Sequence, residues 1–225
     1  MTDGPAIDQA GMKRLVAVAS GDAAGADLDL DGVDAVVLTH LHADHASGLE
    51  GYGYFSHFVL GRRAPLIVHP EVAKRLWEGH LAAGMECLMD VEHHHLHAKT
   101  LADYFDVTAL DENAPLTFGP FEIECRRTIH HVPTTALRIR AGGRTLGYSA
   151  DTCFDPELIA WLSPCDLIVH ETNYGVHTPY ADLAALPAPL RARMRLIHYP
   201  DQFDVTSSVI EALEQGRRYP VGAGA

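Results

Sequence analysis

The segment at residues 40–45 (HLHADH) constrains this chain more than any other feature, because three histidines and one aspartate lie within six positions. It directly follows a β-branched apolar run of strand length (VDAVVLT). A turn after a strand can direct alternate side chains into one hollow, whereas a helix would spread this spacing around its circumference. Imidazole nitrogens and carboxylate oxygens are ligands that zinc, iron and manganese accept. The segment therefore predicts the start of a two-metal site, with His40 and His42 on one ion and Asp44 and His45 on the other.

Composition and charge limit the class of protein and its partners. Hydrophobic residues make up 47% of the chain, which is enough for a single domain with a sizeable core over residues 1–225. The formal net charge is −13, from 30 acidic side chains against 17 lysines and arginines. Because polyanions bind mainly by releasing counterions to basic side chains, this balance predicts a small-molecule substrate and disfavours a nucleic-acid partner.

The sequence also carries signals of cellular location. The first five residues (MTDGP) lack the basic and apolar segments of a secretory signal, and no apolar run approaches membrane-spanning length. No cysteine pair has C-x-x-C spacing, which is typical of reduced thiols. We therefore expect a cytoplasmic protein without a membrane partner, and the sequence leaves a homodimer open. The four cysteines are Cys87, Cys125, Cys153 and Cys165, of which Cys153 is expected to be a buried structural thiol.

Hydrophobic periodicity predicts a mixture of strands and helices. Strands interleaved with helices later in the chain predict sheets sandwiched between helices. The predicted strands are 13–21, 65–70, 121–129, 136–140, 145–149, 166–169 and 191–197, with a hairpin through the glycines at 142 and 143. The predicted helices are 71–83, 156–162 and 205–216, while 22–32 is predicted as a loop, 51–63 as a mobile, aromatic-rich rim and 84–114 as irregular chain.

A second histidine-rich tract lies within that irregular part, at residues 93–97 (HHHLH). Nothing in the surrounding sequence fixes its backbone as a strand or helix end would. We therefore interpret the tract as a solvated or substrate-facing loop rather than a metal site.

The spacing His-x-His-x-Asp-His at residues 40–45 resembles the signature of the metallo-β-lactamase-fold hydrolases, and the resemblance spans about residues 33–200. It implies an α/β (α+β) fold of the four-layer αββα sandwich type. In that family the remaining ligands are a histidine, an aspartate that bridges both metals and a last histidine, each after its own strand. His130, Asp151 and His198 occur in that order. The resemblance thus implies His40, His42 and His130 on one metal, and Asp44, His45 and His198 on the other.

Two of these assignments have alternatives. His130 and His131 are adjacent, and successive residues of an extended segment face opposite ways. The family motif places a small residue six positions after the ligand, where Ala136 stands, so His130 is the predicted ligand and His131 the alternative. Asp151 could instead cap the short helix that follows it.

Residues 166–173 (DLIVHETN) are similar to the Asp-Leu-Leu-Ile-His-Glu-Ala-Thr segment of ribonuclease Z and related phosphodiesterases. Residues 149–152 (SADT) resemble their Ser-Gly-Asp-Thr, and His177 resembles a later proton-donating histidine. The resemblance implies that Glu171 holds a ligand histidine by its second ring nitrogen. It also implies that His177, or His170, protonates the leaving oxygen. The alternative is that His170 and Glu171 only complete a polar network at a strand end.

These features together predict a hydrolase with two divalent cations, zinc first and manganese or iron as alternatives. We expect it to cleave a small or cyclic phosphodiester through attack by a metal-bound hydroxide that Asp44 orients. Three rival enzymatic functions stay open at this point: a lactonase or thioesterase on the same ligands, a ribonuclease Z-like nuclease, and an iron-dependent redox protein. A non-catalytic, metal-stabilised binding protein is a further alternative.

The sequence departs from the family pattern in three places. An Asp-x-Gly motif after an apolar strand usually precedes the first ligand, and none precedes His40 here, so we expect an abbreviated N-terminal part of the sheet or a truncated chain. Ala150 stands where relatives usually have glycine. The basic, glycine-rich arm with which ribonuclease Z grips transfer RNA is not recognisable, in agreement with the acidic charge.

Overall fold

Two β-sheets organise the part of the chain that this computed structural model describes, residues 14–17 and 30–222. The strands are β1 Arg14–Ala17, β2 Val33–Leu38, β3 Ala64–Val68, β4 Cys87–Met89, β5 Leu96–Ala98, β6 Phe105–Ala109, β7 Leu116–Phe118, β8 Phe121–Arg127, β9 Thr135–Ala141, β10 Arg144–Tyr148, β11 Leu167–Glu171, β12 Met194–Ile197 and β13 Glu211–Ala212. The helices are α1 Ala43–Ala46, α2 Leu49–Phe58, α3 Pro70–Leu76, α4 Ala82–Met85, α5 Leu101–Tyr104, α6 Pro156–Leu162, α7 Tyr180–Ala184 and α8 Ala188–Arg191, with a 3-10 turn at Leu30–Gly32 and a π-helical segment at Trp77–Leu81.

The first sheet is parallel in the order β1-β2-β3-β6, and the second has the order β13-β12-β11-β10-β9-β8-β7. In the second sheet β7 to β10 are antiparallel neighbours, while β10 to β13 are parallel. The strands β8, β10, β11 and β12 therefore all run the same way, so their carboxyl ends reach the same edge of the sheet.

Alternation along β2 shows how the layers pack. Val36 and Leu38 contact the core formed with α2, α3 and α5, whereas Ala35 and Val37 contact the core between the two sheets. On the far side, Ile168 and other residues of the second sheet pack against α6 and α7. The result is the predicted αββα sandwich, in which each sheet has one face on the other sheet and one on helices.

Most predicted strands and helices are confirmed, including the hairpin of β9 and β10 and the helix α6. The strand predicted at 191–197 begins only at Met194, because Arg191 ends the helix α8. The predicted strand 13–21 is described only over Arg14–Ala17. Most of the loop predicted at 22–32 lies outside the described residues. So does most of the N-terminal part in which we expected an abbreviated sheet. The predicted irregular stretch 84–114 in fact contains the β4–β5 hairpin, α5 and β6.

The prediction of a mobile rim at 51–63 is wrong, because α2 continues through both of its glycines to Phe58. Tyr52 and Ser56 on this helix are buried. A Cβ atom at Gly53 would lie 2.7 Å from the ring of Phe105, so glycine at this position lets the helix approach β6 closely. Gly53, which suggested a loop, thus serves helix packing.

The predicted C-terminal helix at 205–216 is also wrong. The chain forms turns there, followed by the two-residue strand β13 beside β12. The Asp204 carboxylate accepts from the backbone N–H of Thr206, and the Ser208 hydroxyl donates to the carbonyl of Ile210. These side-chain bonds to the backbone replace the bonds that a helix would require.

Two further sequence predictions concern thiols and membranes. All four cysteines are free, as predicted, but Cys153 is only half-buried and its thiol donates to the carbonyl of Val176. None of the helices in the described part of the chain is long and apolar enough to cross a membrane.

Candidate metal centre

The candidate ligands follow the carboxyl ends of strands that share one edge of the fold. Asp151 comes after β10 and His198 after β12, and the segment 40–45 follows β2 in the other sheet. The two sheets are tied together at this edge, because the backbone N–H of Thr135 donates to the carbonyl of Thr39. The turns after these strands can therefore converge, as ligands commonly do at the carboxyl ends of parallel strands.

One group of possible ligands consists of His40, His42, His130 and Asp151, whose donor atoms lie within 4.8 Å of one another. Asp151 Oδ2 lies 3.5 Å from Nε2 of His40 and 3.9 Å from Nε2 of His130. His130 Nε2 in turn lies 3.4 Å from Nδ1 of His42. These are the residues that the resemblance assigned to the first metal, with the bridging aspartate beside them.

A second group consists of Asp44, His45 and His198. Asp44 Oδ2 lies 3.3 Å from Nε2 of His45 and 3.1 Å from Nε2 of His198. The other carboxylate oxygen of Asp151, Oδ1, lies 3.4 Å from Nε2 of His45. Asp151 therefore presents one oxygen to each group, which is the placement that a bridging ligand requires.

The alternative role of Asp151 as a helix cap is wrong. Asp155 occupies the N-cap of α6, where its side chain accepts from the backbone N–H of Glu157. Asp151 is 2% exposed, too buried for a carboxylate without partners.

The donor set fits divalent cations. Two ligand atoms about 2.1 Å from a tetrahedral ion lie about 3.4 Å apart, which is close to the separations within both groups. Moreover His40 Nε2, His45 Nε2 and Asp151 Oδ1 are buried without a hydrogen-bond partner. Because buried polar atoms are nearly always satisfied, these three atoms indicate a bound group at this position.

Burial and mutual repulsion keep most of the imidazoles neutral, the form that binds metal. Burial lowers the pKa of His45 to about 4 and that of His130 to about 4. Burial alone would raise the pKa of Asp151, but the contacts with His40, His45 and His198 outweigh it and hold the pKa far below its usual value. His45 and His130 therefore offer neutral nitrogens beside the ionised carboxylate of Asp151.

Glu171 connects the second group to the protein interior. Its Oε1 accepts from the backbone N–H of Thr152 at 2.8 Å and lies 3.0 Å from Nδ1 of His177. Its Oε2 lies 3.6 Å from Nδ1 of His198. The pKa of His198 is raised to about 9, and its contact with the Glu171 carboxylate is the largest cause. The buried glutamate thus contacts a candidate ligand and the candidate proton donor at once.

The candidate proton donors occupy different positions. His177 lies beside the cluster, with Nδ1 3.9 Å from Asp151 Oδ2, and its donor atoms also group with those of Asp151 and His198. His170 points elsewhere, because adjacent residues of β11 alternate, and its Nδ1 contacts the carbonyl of Glu171 at 2.7 Å. His170 is fully buried, and burial lowers its pKa.

The tract at residues 93–97 covers the end of the β4–β5 hairpin loop and the first two residues of β5, and its histidines are exposed. Asp90 organises this loop by accepting from the backbone N–H groups of His93 and His95. In the described part of the chain, the tract contributes to none of the groups whose donor atoms could share an ion. It stands apart from the metal centre.

Sequence reasoning missed the contact of Thr39 with the site and noted Ala150 only as a departure from the usual glycine. The Thr39 hydroxyl lies 3.1 Å from Nδ1 of His40 and leaves Nε2 facing Asp151. Ala150 has a φ of +50° immediately before Asp151, a conformation that favours glycine. The hydroxyl next to a ligand and the departure from the usual glycine were the available signals.

Comparison of folds identifies the class of protein. The metallo-β-lactamase-fold protein YhfI from Bacillus subtilis matches with a TM-score of 0.62 at 21% identity, covering 84% of this chain and 78% of that one. Human tRNase Z, short form, matches with a TM-score of 0.58 at 18% identity over 88% of this chain and 83% of that one. The chain therefore has the metallo-β-lactamase fold.

Sequence comparison identifies the family. The family model described as "Anti-Pycsar protein Apyc1" matches residues 18–218. The Anti-Pycsar protein Apyc1 of Saccharibacillus brassicae is 32% identical over 211 residues, 86% of this chain and 81% of that protein. The chain belongs to the Anti-Pycsar protein Apyc1 family. A 3',5'-cGMP phosphodiesterase of Dictyostelium discoideum is 25% identical over 202 residues, 82% of this chain but 22% of that longer protein.

Proposed function

We propose that this chain hydrolyses a small cyclic phosphodiester, of the 3',5'-cyclic nucleotide class, at a dinuclear metal centre. The observation that carries the proposal is the position of Asp151, whose two carboxylate oxygens face two separate groups of ligand atoms. The first metal would be held by His40, His42 and His130, the second by Asp44, His45 and His198, with Asp151 between them. Zinc is the first metal to test, since imidazole and carboxylate ligands suit it.

Two cations at these positions would supply the positive charge that ionises a water molecule near neutral pH and neutralises charge on the phosphoryl oxygens. The chain's own side chains do the rest. Asp44 would accept a hydrogen bond from the attacking water and so orient it towards phosphorus. Glu171 would keep His198 and His177 in place through their Nδ1 atoms.

His177 would supply the proton for the leaving group. As the new bond between water oxygen and phosphorus forms, the bond from phosphorus to one ribose oxygen breaks. That alkoxide is a strong base, and protonation by a positioned imidazole lowers the barrier to its departure. His177 is 17% exposed, so it can reach a substrate, and the Glu171 carboxylate 3.0 Å from its Nδ1 leaves its Nε2 as the nitrogen that donates.

The surface beside the centre suits a nucleotide better than a polymer. An open cleft of about 910 Å³ lies beside the loop that carries His130 and His131, and its lining includes Arg126 and Arg127 as well as Glu71 and Glu157. This volume lies within the range of small-molecule sites. The overall charge of −13 opposes binding of a long nucleic acid. The similarity to a protein named as a 3',5'-cGMP phosphodiesterase supports the same substrate class.

A hydrolysis panel combined with metal analysis tests the proposal. The purified protein is assayed with 3',5'-cyclic nucleotides bearing each base, bis-p-nitrophenyl phosphate, a lactone, a thioester and a short single-stranded RNA, and its bound metal is counted per chain. We expect about two cations per chain and turnover of a cyclic nucleotide to the monophosphate. Turnover of the lactone or thioester alone would reject the phosphodiester proposal. RNA cleavage without cyclic nucleotide turnover would favour a nuclease, and two irons with a visible absorption band would favour the redox rival.

A further inference from the structure

His42 has histidine partners on both of its ring nitrogens. Its Nδ1 lies 3.4 Å from Nε2 of His130, inside the first ligand group. Its Nε2 lies 3.0 Å from Nε2 of His131, whose side chain is exposed on the cleft side. The centroids of the His42 and His131 rings are 4.7 Å apart. The two adjacent histidines of the 130–131 pair therefore approach opposite nitrogens of one imidazole.

This arrangement separates the roles of the two nitrogens. A neutral imidazole carries one proton, so one nitrogen of His42 can bind a cation only while the other carries the N–H group. Nδ1 is the nitrogen beside His130, and Nε2 is left to donate. The acceptor at hydrogen-bond distance is Nε2 of His131, which has a free lone pair when its own proton is on Nδ1.

We propose that His131 is a positioning residue, which holds His42 in the tautomer and orientation for metal binding by accepting a hydrogen bond from its Nε2. Metal-binding histidines usually donate their second N–H to a carboxylate, a carbonyl or water, and this contact fixes ring orientation and basicity. Here a neighbouring imidazole takes that place. The inference rests on the metal centre of the proposed function and is independent of the substrate.

The backbone around His131 is well placed for such a role. The loop between β8 and β9 is closed by the bond from Thr128 N–H to the carbonyl of Thr134. The next residue, Thr135, donates to the carbonyl of Thr39 immediately before His40. The segment that carries His131 is thus tied directly to the segment that carries His42, so an exposed side chain can still have a fixed position.

Metal affinity tests the inference without any substrate. Variants His131→Ala and His131→Gln are compared with wild type, and His94→Ala is the control because His94 is an exposed histidine of the hairpin loop. Each metal-free protein is titrated with Zn²⁺ against a chromophoric chelator, and its Co²⁺ form is examined by visible absorption. Circular dichroism of the metal-free proteins verifies that every variant is folded.

We expect His131→Ala to weaken one of the two binding steps by about 10- to 100-fold and to alter the Co²⁺ spectrum. His131→Gln can still offer an amide oxygen to His42 and should stay near wild type, as should His94→Ala. Wild-type affinity in His131→Ala would overturn the inference. So would an equal loss in His131→Gln, because that would make His131 a ligand itself. Failure of the wild type to bind metal would instead overturn the proposed function.

Discussion

The Oδ2 atom of Asp44 lies 3.1 Å from Nε2 of His198, although 154 residues separate the two in sequence. Asp44 belongs to the turn after β2 of the first sheet, and His198 follows β12 of the second. The second ligand group therefore spans both sheets. Metal bound there would link the two halves of the sandwich as well as supply the reaction's charge, so loss of metal and loss of stability should go together.

Replacing Asp151 should break the link between the two cations and lower the metal content. In Asp151→Asn one oxygen becomes an amide nitrogen, which cannot bind a cation, and the bridge between the two groups is lost. We expect fewer than two metals per chain and a fall in turnover of more than about 100-fold, beyond the usual effect of an outer contact. Metal analysis of the purified protein and kinetic assays measure both. Asp155→Asn is the matched control, because asparagine caps α6 as well as aspartate does.

Replacing Glu171 should weaken metal binding at the second ligand group, because Glu171 contacts His198. Glu171→Gln can keep an oxygen for Thr152 N–H and His177, but it then places an amide nitrogen toward Nδ1 of His198. We expect metal affinity at the second group to fall by about 10- to 100-fold, measured by chelator competition. Glu157→Gln, an exposed carboxylate on α6 paired with Arg126, should leave affinity unchanged. An unaffected Glu171→Gln would argue that this buried carboxylate only completes a polar network.

The loss of turnover on replacing His177 should be larger for a more basic leaving group. For His177→Asn we expect turnover of a cyclic nucleotide to fall by about 10²- to 10⁴-fold, since its alkoxide needs a proton. Hydrolysis of bis-p-nitrophenyl phosphate should fall by less than about 10-fold, because p-nitrophenolate leaves without one. Metal content should stay at the wild-type value. Equal losses on both substrates, or a loss of metal, would instead make His177 a ligand.

Ala150 occupies a left-handed conformation at φ +50°, which costs a non-glycine residue about 1–2 kcal/mol. Ala150→Gly removes this cost but increases the entropy of the unfolded chain, so we expect unfolding free energy to rise by no more than about 1 kcal/mol. Ala150→Val should destabilise by at least about 2 kcal/mol, because a β-branched residue tolerates positive φ poorly and the site is buried. Urea unfolding measures both changes, and a stable valine variant would contradict this account of the backbone.

The stability of the metal-free protein should be greatest near pH 6.5. His45 and His130 have pKa values of about 4 in the folded chain against 6.5 for free histidine, so the unfolded chain binds more protons below pH 6.5 and stability falls there. The pKa of His198 is about 9, so its contribution is complete below pH 6.5 and is lost as pH rises towards 9.

Urea midpoints between pH 5 and 8.5 in the presence of a chelator measure this profile. His198→Gln should lose the alkaline decline and keep the acidic one, since His45 and His130 are unchanged. A wild-type midpoint that rises steadily from pH 6.5 to 8.5 would contradict the raised pKa of His198.

A glycine and two polar side chains account for these local errors of sequence interpretation. Gly53 suggested a loop because glycine disfavours helices, yet its lack of a side chain is what lets α2 pack against Phe105. The segment at 205–216 has helical spacing of its apolar residues, but side chains of Asp204 and Ser208 bond to the backbone and the chain joins the sheet. In both places contacts with distant residues outweighed local preference.

The sequence by itself determined the alternation of strands and helices, the acidic charge and the segment that begins the site, since these depend on periodicity, composition and spacing over a few residues. Only the tertiary structure decided which distant side chains join that segment. Asp151 turns one oxygen to His40 and the other to His45, His170 faces away, and His131 contacts His42. The physical reason is that strand direction and the two-residue alternation of side chains, not distance along the chain, determine which donor atoms meet at one edge of the sandwich.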